Sequence, residues 1–222
     1  MQEEGFIYER LHTAPGIKLE TVSGGAGRSR RAFELLARQV WSENARNGYR
    51  TIDHTADGAP LLWADEKESQ HQRISVSHTD GLFAVATLPP APADIDLEVF
   101  NPKTSLGIDV ERIDRQQVLK VRERFLNEEE LKLIPADNFE ANIIAWTCKE
   151  AMLKLSLNPS VDIRSQLIIN KLPKPGSSEG TGTVILSEIG EIPVLLHSIF
   201  LNDNQYIASL AFTAQTLNYK KS

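Results

Sequence analysis

Apolar positions in this chain follow two periods, one near 3.6 residues in a few long stretches and one of 2 in several short ones. From about Ser29 to Asn47, Phe33, Leu36, Ala37, Val40 and Trp41 share one face, with Arg30, Arg31, Glu34 and Arg38 off it. This predicts an amphipathic helix stopped by Asn47-Gly48. A loop through Asp57-Gly58-Ala59-Pro60 follows. Arg73–Thr79 and Leu82–Leu88 alternate in polarity and are joined by Asp80-Gly81, a strong hairpin signal because this dipeptide tolerates positive φ. Pro89-Pro90-Ala91-Pro92 suits neither a helix nor a central strand, so 89–104 reads as an irregular connection between two halves, 1–104 and 105–222.

The second half opens with a strand over Ser105–Glu111. Helices are expected over Arg115–Leu126, from Glu128, and over Phe139–Leu157, the last stopped by Asn158-Pro159. From Gln166 to Phe212 the pattern is of strands, broken by the Gly/Ser-rich tip Pro175–Gly182. Strands and helices mix without a βαβ rhythm, which makes the fold class α+β. Bulk composition narrows the function only a little. The net charge of -6 and pI near 5.4 exclude a generally basic nucleic-acid binder. One cysteine excludes an internal disulfide framework. The acidic N-terminus does not read as a signal peptide, and no apolar run nears the roughly 18 residues of a membrane span. A soluble, cytoplasmic protein is expected.

Candidate chemistry is concentrated in four short segments. In Gly107-Ile108-Asp109-Val110-Glu111, alternation puts Leu106, Ile108 and Val110 on one face and Gly107, Asp109 and Glu111 on the other. Two adjacent carboxylates repel unless a cation or proton lies between them, and hard oxygens suit Mg²⁺. The same two acids are also compatible with a solvated strand edge. On the long helix, Ile144, Cys148, Ala151, Met152 and Leu155 form an apolar stripe, while Trp146, Lys149, Glu150, Leu153 and Lys154 lie on another face. Glu150 and Lys154 have the spacing of an ordinary i, i+4 surface pair, and Cys148 belongs to the core rather than acting as a nucleophile. His78, between Ser77 and Thr79, sits at a strand end beside the tight turn. Glu130 fits a capping box in Asn127-Glu128-Glu129-Glu130 as well as it fits an acid-base role.

The order His78, then Gly-Ile-Asp-Val-Glu, then Trp-x-x-Lys-Glu-Ala-x-x-x-Lys resembles the 4′-phosphopantetheinyl transferases, in particular their longer, two-half (Sfp-type) branch. The resemblance runs from about Arg28 to Phe212. It implies two similar α+β halves in pseudo-twofold arrangement with the active site between them. It implies Mg²⁺ on Asp109, Glu111 and Glu150, with coenzyme A contacted by His78, Ser77, Thr79, Lys149, Lys154, Gly58, Pro60 and one of Arg28, Arg30 and Arg31, for which Arg31 stands. The implied reaction transfers 4′-phosphopantetheine from coenzyme A to a serine of an apo acyl, peptidyl or polyketide carrier protein and releases 3′,5′-adenosine bisphosphate. Glu130 is then the general base, Lys154 steadies the leaving phosphate, and Glu150 belongs to the catalytic set. Ala59 stands where a basic residue is frequent in the family's Gly-x-Pro loop. A carrier dock is expected from Arg112, Arg115, Lys120, Arg122 and Arg124, with Leu126 as its apolar contact. Neither a nucleic-acid nor a membrane partner is implied, and the two-half chain reads as a monomer. The competing reading is a metal-dependent phosphohydrolase or nuclease using the same three acids. A coenzyme A-binding protein without turnover is a third.

Overall fold

The computed structural model describes residues 7–14, 17–24, 49–54, 60–64, 71–88, 105–177 and 179–214. The helix expected at 29–47, the connection 89–104, and Arg28, Arg30, Arg31, Gly58 and Ala59 lie outside the described residues.

The first six strands are β1 (Ile7–Ala14), β2 (Ile17–Ser23), β3 (Tyr49–His54), β4 (Pro60–Ala64), β5 (His71–Thr79) and β6 (Leu82–Thr87). They form an antiparallel sheet in the order β1-β2-β6-β5-β4-β3. The β5–β6 hairpin turns on Asp80-Gly81 as its sequence requires, with Gly81 at φ +81°. The second sheet combines β7 (Leu106–Arg112), β8 (Leu167–Lys171), β9 (Gly180–Leu186), β10 (Gly190–Leu201) and β11 (Tyr206–Phe212), in the order β7-β11-β10-β9-β8. Gly180 to Gly182, read as part of a loop tip, instead open β9, where Gly180 pairs with Leu196.

Among the described residues, the second half of the chain carries three helices: α1 (Gln117–Phe125), α2 (Glu128–Leu133) and α3 (Phe139–Ser156). Asn138 caps the start of α3 by accepting from Ala141 N at 3.0 Å. The helix ends one residue earlier than its sequence suggests, with Leu157 left-handed at φ 55°.

Strand alternation divides the apolar residues of the second sheet between two cores. One face packs on the helices, with Ile144, Cys148, Ala151, Met152 and Leu155 of α3 against Leu167, Val184, Leu196, Ile207 and Ala211. The other face, carrying Leu106, Ile108, Val110, Ala208, Leu210 and Phe212, packs on Ile17, Leu19, Leu82, Ala84 and Ala86 of the first sheet. All seven residues of β11 are buried because it is covered on both faces. Gly107 allows α3 to lie directly on β7: a Cβ there would collide with the Ala151 carbonyl and stand 2.8 Å from Leu155 N. The close approach at this glycine is therefore that of a helix backbone.

Candidate active site

β7 is an edge strand of its sheet, so its outward N–H and C=O groups need partners from elsewhere. Period-2 alternation in β5 brings Ser75, Ser77 and Thr79 out on one side, toward that edge. Ile108 N donates to Ser75 Oγ at 3.0 Å and Val110 N to Ser77 Oγ at 3.3 Å. The same Ser77 hydroxyl donates to Asp109 Oδ1 at 2.8 Å, and Thr79 Oγ1 donates to Glu111 Oε2 at 3.3 Å. Lys154, arriving from α3, donates to Ile108 O at 2.8 Å and to Asp109 Oδ1 at 2.9 Å.

Asp109 and Glu111 thus share one face of β7, as alternation predicted; that face meets α3, and both acids are nearly buried. Two donors converge on Asp109 Oδ1, while Oδ2 is buried and has no hydrogen-bond partner among the described residues. A buried carboxylate oxygen left in that state is costly, which marks a place where a cation or donor is missing. Glu111 accepts from Arg115 and from Trp146 Nε1, the latter at 3.3 Å. Trp146 is itself braced edge-on against Phe125, with ring centroids 5.1 Å apart. Glu150 is half-buried beside them. Burial first, and the Asp109 charge second, push its carboxyl above the ordinary value, while Lys154 and Arg115 pull the other way. Lys154 crosses to the strand, so the plain i, i+4 surface pair does not describe it.

The structure therefore brings together Ser77, Thr79, Asp109, Glu111, Glu150 and Lys154. Among the described residues, no three His, Cys, Asp or Glu side chains are gathered closely enough to hold an ion as they stand. Arg115 and Lys154 occupy oxygens of Glu111 and Asp109 in this arrangement. The donor set nonetheless suits a hard dication, having carboxylate oxygens only and one of them orphaned.

Lys149 and Glu130 are placed differently from their expected roles. Their side chains are 0% and 1% exposed and form an ion pair at 2.7 Å. Glu130 completes the capping box with Asn127 and also accepts from Ile169 N at 2.6 Å. Lys149 also donates to Leu167 O and Ile163 O. Burial lowers the Lys149 pKa and Glu130 opposes that shift. The structure thus shows Glu130 and Lys149 enclosed and paired with each other, not set out at the open edge with Asp109, Glu111 and Glu150. The helical wheel put Lys149 with Glu150 and Lys154, but α3 is covered nearly all round and its Lys149 side is core.

His78 is exposed and stacks on Phe83, with centroids 5.7 Å apart. Pro60 begins β4. Cys148 is fully buried, and burial pushes its thiol up to about 11, which agrees with its reading as core. The proposed carrier dock changes composition. Leu126 is wholly buried, Arg122 is held by Asn142 Oδ1 and Ile134 O, and Arg112 is paired with Asp114. Lys120 and Arg124 remain exposed, and Leu133, 66% exposed, is an apolar residue that periodicity gave no reason to single out.

An edge strand carrying two buried acids is thus served by a helix that supplies a third acid and a lysine. Residues 105–209, from just before β7 into β11, match the model of the 4′-phosphopantetheinyl transferase superfamily. A comparison with curated proteins gave no match. Among the described residues, no helix is long and apolar enough to cross a membrane.

Proposed function

We propose that this protein transfers the 4′-phosphopantetheine arm of coenzyme A to a serine of an apo carrier protein, with Mg²⁺ held by Asp109, Glu111 and Glu150. The observation that carries this reading is the orphaned, buried Asp109 Oδ2 beside Glu150 and Lys154, inside the family-matched stretch. Bound there, Mg²⁺ supplies charge neutralisation and orientation for the pyrophosphate oxygens. Arg115, with an accessible side chain, is the contact that gives way for Glu111 to join the set. The serine Oγ forms a bond to the β-phosphorus as the bond to the bridging pyrophosphate oxygen breaks, and 3′,5′-adenosine bisphosphate leaves. The serine proton passes to a water held at this edge, with Glu150 in the catalytic set; Glu130, 1% exposed, is enclosed. Lys154 neutralises the leaving phosphate. His78, exposed at the end of β5, contacts the 3′-phosphate of coenzyme A. Coenzyme A lies between an N-terminal half, 1–104, and a C-terminal half, 105–222, in the manner of the longer branch of the superfamily.

The test is intact-protein mass spectrometry of an apo acyl carrier protein incubated with the chain, coenzyme A and Mg²⁺. A gain of one phosphopantetheine is expected, lost with chelator and slowed roughly 10²-fold or more in Asp109→Asn. Release of nucleotide without any carrier gain would favour the phosphohydrolase instead.

A further inference from the structure

β5 was expected to meet coenzyme A through Ser77 and Thr79 as well as His78. Strand geometry separates these residues. Ser77 and Thr79 point to the β7 edge, and His78, between them, points away to the exposed side. Ser77 Oγ has one proton, and it goes to Asp109 Oδ1 at 2.8 Å; the oxygen also accepts from Val110 N at 3.3 Å. That hydroxyl is buried, and its contacts link a strand of one sheet to the acid-bearing strand of the other. Lys154 donates to the same Oδ1, so both donors fall on one oxygen and the other is left free. Thr79 holds Glu111 from the other side, on Oε2, while Arg115 and Trp146 share Oε1, so both oxygens of Glu111 are engaged.

We propose that Ser77 and Thr79 are positioning residues for the metal-binding acids, Ser77 fixing Oδ2 as the available oxygen of Asp109 and Thr79 fixing the orientation of the Glu111 carboxylate, and that neither touches coenzyme A. The inference rests on the cation site proposed above. A hydroxyl turned toward a nucleotide would abandon both Val110 N and Asp109. A hydroxyl that stays where it is holds the carboxylate in one orientation before any ligand arrives. Such support lowers the reorganisation needed on binding and is lost when the hydroxyl is removed.

The test uses the full chain and Mn²⁺ alone as the metal probe, read as free Mn²⁺ by electron paramagnetic resonance. Coenzyme A binding is measured separately by calorimetry in chelator. Ser77→Ala is expected to weaken Mn²⁺ binding about tenfold, the scale of one hydrogen bond to a charged group. Ser77→Thr, which keeps the hydroxyl, restores it, and coenzyme A affinity in chelator stays within about twofold of wild type in both. Thr79→Val, isosteric and without the hydroxyl, weakens Mn²⁺ binding in the same direction and carries the test should Ser77→Ala not fold. Weakened coenzyme A binding in chelator, with Mn²⁺ uptake unchanged, would overturn the proposal in favour of a direct coenzyme contact. Asp109→Ala separates the two levels. If it abolishes Mn²⁺ uptake while Ser77→Ala and Thr79→Val do not, the positioning role fails and the metal site stands. If Asp109→Ala binds Mn²⁺ as wild type does, the metal reading itself fails.

Discussion

The two edges of the second sheet, β7 and β8, are closed by the same kind of device with opposite consequences. At each edge a lysine of α3 reaches past the strand and donates to an outward carbonyl, Lys154 to Ile108 O and Lys149 to Leu167 O. At each edge the lysine also pairs with an acid, Asp109 in one case and Glu130 in the other. Five residues apart on a helix, the two lysines point to roughly opposite sides, which is how one helix serves both edges. The β8 edge is sealed, and every oxygen of Glu130 is engaged by Lys149, Asn127 N or Ile169 N. The β7 edge is open: Lys154 keeps 32% of its side chain exposed, and Asp109 retains a free oxygen. Two neighbouring lysines in one motif therefore differ in role through what covers them, and residue type alone does not separate them.

Breaking the sealed edge has the largest expected effect. Lys149→Met strands Glu130 without its cation and is expected to lower stability by about 3–5 kcal/mol, read from urea unfolding. Adding Glu130→Gln should recover most of that loss, because the amide can still accept from Ile169 N. A Lys149→Met protein as stable as wild type but inactive would reverse the comparison and return the residue to the substrate. At the open edge, Ser75→Ala leaves the buried Ile108 N without its acceptor. It should cost about 1–3 kcal/mol in thermal or urea unfolding while leaving Mn²⁺ binding unchanged.

The smallest effect is a pH dependence at the open edge, measured on the metal-free chain. With its folded pKa raised, Glu150 holds its proton in the folded state when the unfolded chain has already released it. Stability from this group is fully present at pH below the ordinary glutamate value of 4.5 and is lost as pH rises through the folded value. Glu150→Gln should flatten that part of the melting-temperature profile and melt at or above wild type at neutral pH. A variant that melts below wild type at neutral pH would show that Lys154 and Arg115 outweigh burial at this position.

Local rules carried much of the fold and part of the site. Asp80-Gly81 set the hairpin, alternation put Asp109 and Glu111 on one face of β7, and the capping box at Asn127 and Glu130 formed as its spacing requires. What eluded the sequence was tertiary. Lys149 looks like a surface lysine until β8 and α2 close over it. Leu126 looks like a dock until it proves wholly buried, and the Ser77 bond to Asp109 exists only where β5 meets β7. Each of these depends on partners 18 to 38 residues away, which no local period records.

The tip of the β5–β6 hairpin bears on all of this. Tyr206, the first residue of β11, donates its hydroxyl to Asp80 O at 3.0 Å, and a Cβ on Gly81 would stand 2.5 Å from that hydroxyl. The turn is thus pinned to the opposite sheet and acts as the zero mark of a ruler along which Ser75, Ser77 and Thr79 are spaced. One extra residue in this turn would shift the ruler's phase, turning the hydroxyl side of β5 over and presenting Val76 and His78 to the acids. The length of a two-residue turn, remote from any reacting atom, sets whether the acids of the other sheet meet hydroxyls or a valine.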